Sequence, residues 1–251
     1  MKTDLADGPA PQTGVGVVAP FDFRQDRELW RWVPGDVTVY LARTASVPSW
    51  DNLDMVSRLN RPSQVVGPTR EVCGVGAEVV AYACTACAFT GGVERERALR
   101  EAMRIEGARH AVTAASAAVE AIGQVGGTKV AVVHPYQRPV GDRLREFLTE
   151  SGLAVADTTP LGLPVAQVYS VTYREVFDLV RRGDRDDADV VFVSCTALPT
   201  YDVIAPLEQE LGKPVVTANQ ATMWAALRAI GKDLNGPGQS LALPSQETQS
   251  S

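Results

Sequence analysis

The sequence is poor in histidine, with only His110 and His134 in 251 residues. That scarcity argues against a His-rich metal site. Cysteine is also scarce, at four. Positive charge is in deficit, with 24 Lys and Arg against 30 Asp and Glu and a net charge of −6. Nucleic-acid binding requires a basic face, so no nucleic-acid partner is expected. No apolar run approaches the roughly 18 residues of a membrane span, so no membrane partner is expected either. The stretch Met1 to Thr13 carries Asp4, Asp7 and two prolines. It lacks the basic-then-apolar layout of a secretory signal, and a cytoplasmic location is the expectation.

Disulfides are rare in a reducing compartment, so none is expected among the four cysteines. Cys84-x-x-Cys87 has the spacing of a redox pair or of half a zinc knuckle. The second half of a knuckle is missing, because Cys73 and Cys195 stand alone. Neither a metal nor another cofactor is expected.

What remains is an ordinary globular composition, 45% hydrophobic and 22% charged. It is long enough for one large domain or two small ones. Short apolar runs alternate with helical stretches, the pattern of an α/β protein with parallel sheets. Strands are expected at Gly14 to Pro20, Val37 to Arg43, Glu78 to Thr85 and, more weakly, His110 to Thr113. The style then repeats at Lys129 to His134, Leu153 to Asp157, Asp189 to Thr196 and Lys213 to Thr217. Thr172 and Glu175 form a capping box for a helix that Gly183 stops. Pro139 opens another, with Val140, Leu144, Phe147 and Leu148 on one face. Asn219 reads as the N-cap of a last helix, with Gly231 after it. Around Asp26, Arg27 and Glu28, the neighbouring Trp30 and Trp32 read as a packing face, which a homo-oligomer could use.

The chain also echoes itself. Ala81-Tyr-Ala-Cys84-Thr85-Ala86 ends one buried strand, and Phe192-Val-Ser-Cys195-Thr196-Ala197 ends another, 111 residues later. In parallel α/β sheets ligands bind at the carboxyl ends of strands, so both pairs belong on the binding edge. Two similar halves facing each other would set the thiols on opposite sides of one cleft. A single strand cysteine usually just packs. The echoed pair points instead to catalysis, while Cys73 and Cys87 lack the echo and are read as packing. A thiol ionises near pH 8.5, lower at a helix N-terminus. Backbone amides with the Thr85 and Thr196 hydroxyls can hold a carboxylate or an enolate-like oxyanion. One thiolate can take a proton or add to a double bond while the opposite thiol supplies a proton.

At these residues the sequence resembles the aspartate/glutamate racemase superfamily, in the branch of maleate cis-trans isomerases and arylmalonate decarboxylases. Val17-Val18-Ala19-Pro20, Ala83-Cys84-Thr85 and Gly107 to Ser116 carry the resemblance. So do His134-Pro135-Tyr136, Ser194-Cys195-Thr196 and Gly212 to Gln220. It implies two pseudo-symmetric α/β lobes, each with a four-stranded parallel sheet, and an active site in the cleft between them. The implied lobes are 14–115 with 219–232, and 116–218; the ends at 1–13 and 233–251, rich in Pro, Gly, Ser and Gln and without a helical or strand period, read as unstructured tails. The implied chemistry needs no cofactor and acts on a small carboxylic acid, of which a dicarboxylic one is the first expectation. Cys84 matches the nucleophile and Cys195 the proton-handling cysteine. Tyr136, Thr85, Ala86, Thr196, Ala197, Pro20 and Phe21 match substrate-binding positions.

The resemblance has departures. The isomerase branch carries Ser-Ser-Asn after the first strand, where this chain reads Pro20-Phe21-Asp22-Phe23. The decarboxylase branch has a more apolar pocket, which suits the two phenylalanines. It uses one cysteine, at the position of Cys195, with a small residue at that of Cys84. Two thiols favour an isomerase or racemase over a decarboxylase. A third reading is a two-lobed carboxylate-binding protein without turnover, and binding alone needs no thiols.

Overall fold

The computed structural model describes residues 12–47 and 52–243. The first half runs β1 (Thr13–Ala19), α1 (Asp26–Leu29), β2 (Val37–Arg43), α2 (Asn52–Leu59), α3 (Ser63–Gly74) and β3 (Ala77–Tyr82). It continues through α4 (Thr85–Phe89), α5 (Gly92–Ile105), β4 (His110–Thr113) and α6 (Ala114–Gln124). The second half runs β5 (Lys129–His134), α7 (Arg138–Glu150), β6 (Ala154–Pro160), α8 (Val165–Val168) and α9 (Tyr173–Gly183). It ends with β7 (Val190–Val193), α10 (Tyr201–Leu211), β8 (Val215–Thr217) and α11 (Ala218–Ala229).

The strands form two four-stranded parallel sheets, ordered β2-β1-β3-β4 and β6-β5-β7-β8. The second order repeats the first, element for element, so the echo in the sequence is an echo in topology. The central strands are valine-rich because helices cover both faces of a parallel sheet. Val15, Val17, Val79, Val80, Val130 and Val190 through Val193 are all fully buried. The order reverses between β1 and β3 in one sheet and between β5 and β7 in the other. Those are the switch points where such sheets open a crevice at their carboxyl edge.

The capping box at Thr172 and Glu175 is present at the start of α9. At α11 the cap is Thr217, closed by Gln220, rather than Asn219. Asn219 lies one turn-position inside and is buried, because its amide is used elsewhere.

Residues 233–243 correct the expectation of an unstructured tail. Their Pro, Gly and Gln content hid three anchors: Leu234, Gln239 and Leu241 are buried. Gln239 Oε1 accepts from Trp32 Nε1 at 3.1 Å and from Gln220 Nε2 at 2.9 Å. On its other side the segment reaches the second half, where Glu208 Oε2 accepts from the Ser240 amide at 2.8 Å. The rest of both expected tails, 1–11 and 244–251, lies outside the described residues. The α1 segment also crosses between halves. The Glu28 carboxylate, buried, accepts from the Thr200 amide at 2.8 Å and its hydroxyl at 2.7 Å. Arg31 pairs with Asp202 at 2.6 Å, and Gln25 Nε2 donates to the Ala197 carbonyl at 3.1 Å. Of the two tryptophans there, Trp32 is buried within the chain and Trp30 is exposed.

Among the described residues no helix is long and apolar enough to cross a membrane.

Candidate active site

Cys84 leaves β3 and caps the short α4 in an extended conformation, its sulfur accepting from the Cys87 amide at 3.3 Å. Cys195 leaves β7 with φ of 113°, the one positive value at a non-glycine among the described residues. Such a backbone costs about 1–3 kcal/mol and persists where the surroundings impose it, often at functional sites. The two turns are bonded to each other. Thr196 Oγ1 donates to the Ala83 carbonyl at 3.1 Å, and Asn219 Nδ2 donates to the Thr196 carbonyl at 3.0 Å. The carboxyl edges of β3 and β7 therefore meet head to head.

Both cysteines line one cleft. Its floor holds Thr85, Ala86, Thr196, Ala197 and Tyr136, and Pro20 borders it. Phe21 does not line it: its amide is held by Thr44 Oγ1 at 3.2 Å, and Phe23 two residues on faces the cleft instead. One wall comes from α2, where Asn52, Met55, Val56 and Leu59 fall at i, i+3, i+4 and i+7. The opposite wall is Val140 with Val165, Val168 and Tyr169. Asn52 Oδ1 accepts from the Val165 amide at 3.1 Å and joins the walls. Reading only strand ends missed these wall residues, although the spacing in 52–59 was a usable helical signal.

The cleft's electrostatics are distinctive. No Lys, Arg or His stands among the lining residues. Asp22 lines it and accepts a short hydrogen bond from the Tyr169 hydroxyl, with the Arg24 guanidinium 4.5 Å over the Tyr169 ring. Burial pushes the Cys195 thiol up to about 11, against hydrogen bonds from the Ala197 and Leu198 amides and Tyr136 that favour its ionised form. Cys195 is thus a protonated thiol at neutral pH. Burial, then the charge of Cys195, raises the Tyr136 hydroxyl well above the ordinary tyrosine range, and its oxygen lies 3.2 Å from Ser194 Oγ. Thr85 Oγ1 is buried in the cleft lining with no well-formed hydrogen bond of its own, beside the Tyr136 hydroxyl whose ionisation it eases.

His134 does not reach the cleft. It is buried, stacks on Tyr136 at 5.1 Å between ring centroids, and accepts from the Tyr136 amide at Nδ1. Burial lowers its pKa to about 4, so it is a neutral packing residue. Gly141 packs so close that a Cβ there would stand 2.8 Å from the imidazole. His110 is exposed. Among the described residues no cluster of three or more His, Cys, Asp or Glu could hold a metal.

One expectation is overturned. Cys84 and Cys87 are joined by a disulfide, so Cys87 is more than a packing residue. The cause is local geometry. A three-residue step at a helix start puts both side chains on one face, with Cα atoms 5.3 Å apart, within bridging distance. Cys73 and Cys195 are free.

The sequence profile of the arylmalonate decarboxylase family matches residues 60–243. An arylmalonate decarboxylase of Bordetella bronchiseptica is 32% identical over 170 residues, covering 66% of this chain and 71% of its own. A maleate isomerase of Geobacillus stearothermophilus is 28% identical over 167 residues, 64% of this chain and 66% of its own. The matched stretch thus spans about two thirds of these relatives. The fold is that of Nocardia farcinica maleate cis-trans isomerase, seen as a variant with a covalently bound succinylcysteine intermediate. That superposition has a TM-score of 0.81 at 22% identity and covers 93% of this chain and 99% of the other.

Proposed function

The chain belongs to the arylmalonate decarboxylase family, and on that premise we propose that it is a cofactor-independent isomerase or racemase of a small carboxylic acid. The observation that carries this reading is the pair of thiol positions, Cys84 and Cys195, on one cleft at equivalent strand ends. A binding protein has no use for two such groups. The family's decarboxylase chemistry, as the resemblance describes it, has use for one.

The substrate carboxylate sits on the floor, where the unpartnered Thr85 hydroxyl and the Tyr136 hydroxyl donate to it. The apolar walls of Met55, Val56, Leu59, Val165 and Val168 receive an uncharged substituent. Asp22 opposes a second carboxylate, and no lining cation offsets it. These features favour a mono-acid with an apolar group over the dicarboxylic acid first expected. Reduced Cys84, as thiolate, takes the proton from the carbon beside the carboxylate. The electron pair moves into an enolate that the floor donors hold. Cys195, protonated, returns a proton to the opposite face. The reverse reaction exchanges the two roles, so no net proton or electron is consumed.

The test is NMR in deuterated water on reduced protein, with a panel of α-substituted mono-acids, maleate relatives and malonates. Deuterium entry beside the carboxylate with loss of optical purity supports the reading. Carbon dioxide release from malonates without exchange in mono-acids would replace it by decarboxylation, which the apolar walls also suit.

A further inference from the structure

We propose that Cys84 and Cys87 form a reversible dithiol–disulfide pair that turns the cleft nucleophile off when oxidised and on when reduced, with a dithiol as the reductant. The gating part rests on the role proposed above for Cys84.

Three observations carry it. The bond is made by the cysteine on the cleft floor, while the free cleft cysteine, Cys195, stays outside it. A sulfur in a disulfide has no thiolate to take a proton or attack a carbon, so bond and turnover exclude each other at Cys84. Next, the bond spans a separation of three residues. Closing so short a loop removes little freedom from the unfolded chain, so its effect falls on sulfur chemistry more than on the fold. Finally, the α4 turn has an anchor outside the bond: Asn60 Nδ2 donates to the Cys87 carbonyl at 2.5 Å, so the backbone there is held by more than the two sulfurs.

Reduction proceeds from the cleft. A thiolate of the dithiol attacks the Cys84 sulfur, the sulfur–sulfur bond breaks, and the electron pair leaves on Cys87, which takes a proton. The second thiol of the reductant then attacks the mixed disulfide, closing its own disulfide and releasing Cys84. Two electrons pass from the dithiol to the pair, and its two protons pass with them.

The experiment equilibrates the full chain in buffers of reduced and oxidised dithiothreitol or glutathione. Acid quenching, maleimide labelling and peptide mass then read each cysteine. In parallel, iodoacetate labelling of the native protein reads the availability of Cys84. Cys84 and Cys87 are expected to gain label together in one two-electron step, while Cys195 shows no such step. Native labelling of Cys84 should be lost completely on the oxidised side. In Cys87→Ser that loss should disappear across the dithiothreitol buffers, where ring closure of the reagent leaves no lasting mixed disulfide on a lone thiol. A pair that stays bonded in excess native dithiothreitol, or that never bonds in oxidised glutathione, overturns the proposal. So does a Cys84 in Cys87→Ser whose labelling varies among the dithiothreitol buffers. If the redox step and its gating appear but the reduced protein exchanges deuterium into no acid, the isomerase reading falls and the switch stands.

Discussion

Cys84 and Cys195 leave equivalent strands of two sheets with the same strand order, yet their turns have diverged in backbone, partner and charge state. The first is extended and caps a helix, and its sulfur lies against Cys87. The second is held at positive φ, is bonded to no other sulfur, and is driven toward the protonated form by burial. Their threonines differ in the same sense. The Thr196 hydroxyl is spent on Ala83, whereas Thr85 keeps its hydroxyl unpartnered. Two sheets of the same strand order thus supply two matching positions, and a few neighbours set them apart: one sulfur is bonded to Cys87, the other is a free, buried thiol.

The sharpest way to break this comparison is to remove each thiol. Cys84→Ala and Cys195→Ala should each lower deuterium exchange by about 10³-fold, the scale of a lost acid or base, with the fold retained by circular dichroism. Near-full turnover in either variant defeats the two-thiol mechanism. The threonines offer a second contrast. Thr196→Val leaves the buried Ala83 carbonyl unpaired and should cost about 1–3 kcal/mol in urea unfolding. Thr85→Val removes a buried hydroxyl that has no well-formed hydrogen bond and should stabilise the fold by about 1 kcal/mol, but raise KM by about tenfold, as expected for a lost hydrogen bond to a charged group. Equal effects at both sites would erase the distinction.

The charge states give a third contrast. Burial raises the Cys195 pKa above the unfolded value, so the fold favours the neutral thiol. That contribution to stability is whole below about pH 8.5 and is lost as pH rises through about 11. Alkylation of Cys195 should accordingly accelerate only as pH nears 11, measured against a free thiol peptide. The smallest expected effect is at Asp22, whose charge adds to the rise at Cys195. Asp22→Asn should speed Cys195 alkylation at pH 9 by a factor of about three and ease dicarboxylate binding by a similar factor, each about 0.7 kcal/mol.

Much of this frame was legible because a parallel sheet buries its strands on both faces, leaving runs such as Val190 to Val193 that identify themselves. The repeated Cys-Thr pair also marked the cleft. What escaped notice depends on distant chain. Met55, Val56, Leu59 and Tyr169 become cleft walls only once the two halves face each other. The Cys84–Cys87 bond was masked by a rule about compartments, although the spacing allowed it. Gln239 looked like loop composition because its role is defined by Trp32 and Gln220, far away in sequence.

The crossing contacts of α1 have a consequence for how the molecule comes apart. Glu28 on Thr200, Arg31 on Asp202 and Gln239 beside Trp32 tie each half to chain belonging to the other. Glu28, Thr200, Trp32 and Gln239 are buried in the assembled chain, while the Arg31–Asp202 pair stays partly exposed. Calorimetry should record a single cooperative endotherm rather than two, and the halves expressed separately should fail to fold. In that sense neither half stands apart from the other, and the cleft between them lasts as long as the contacts that cross it.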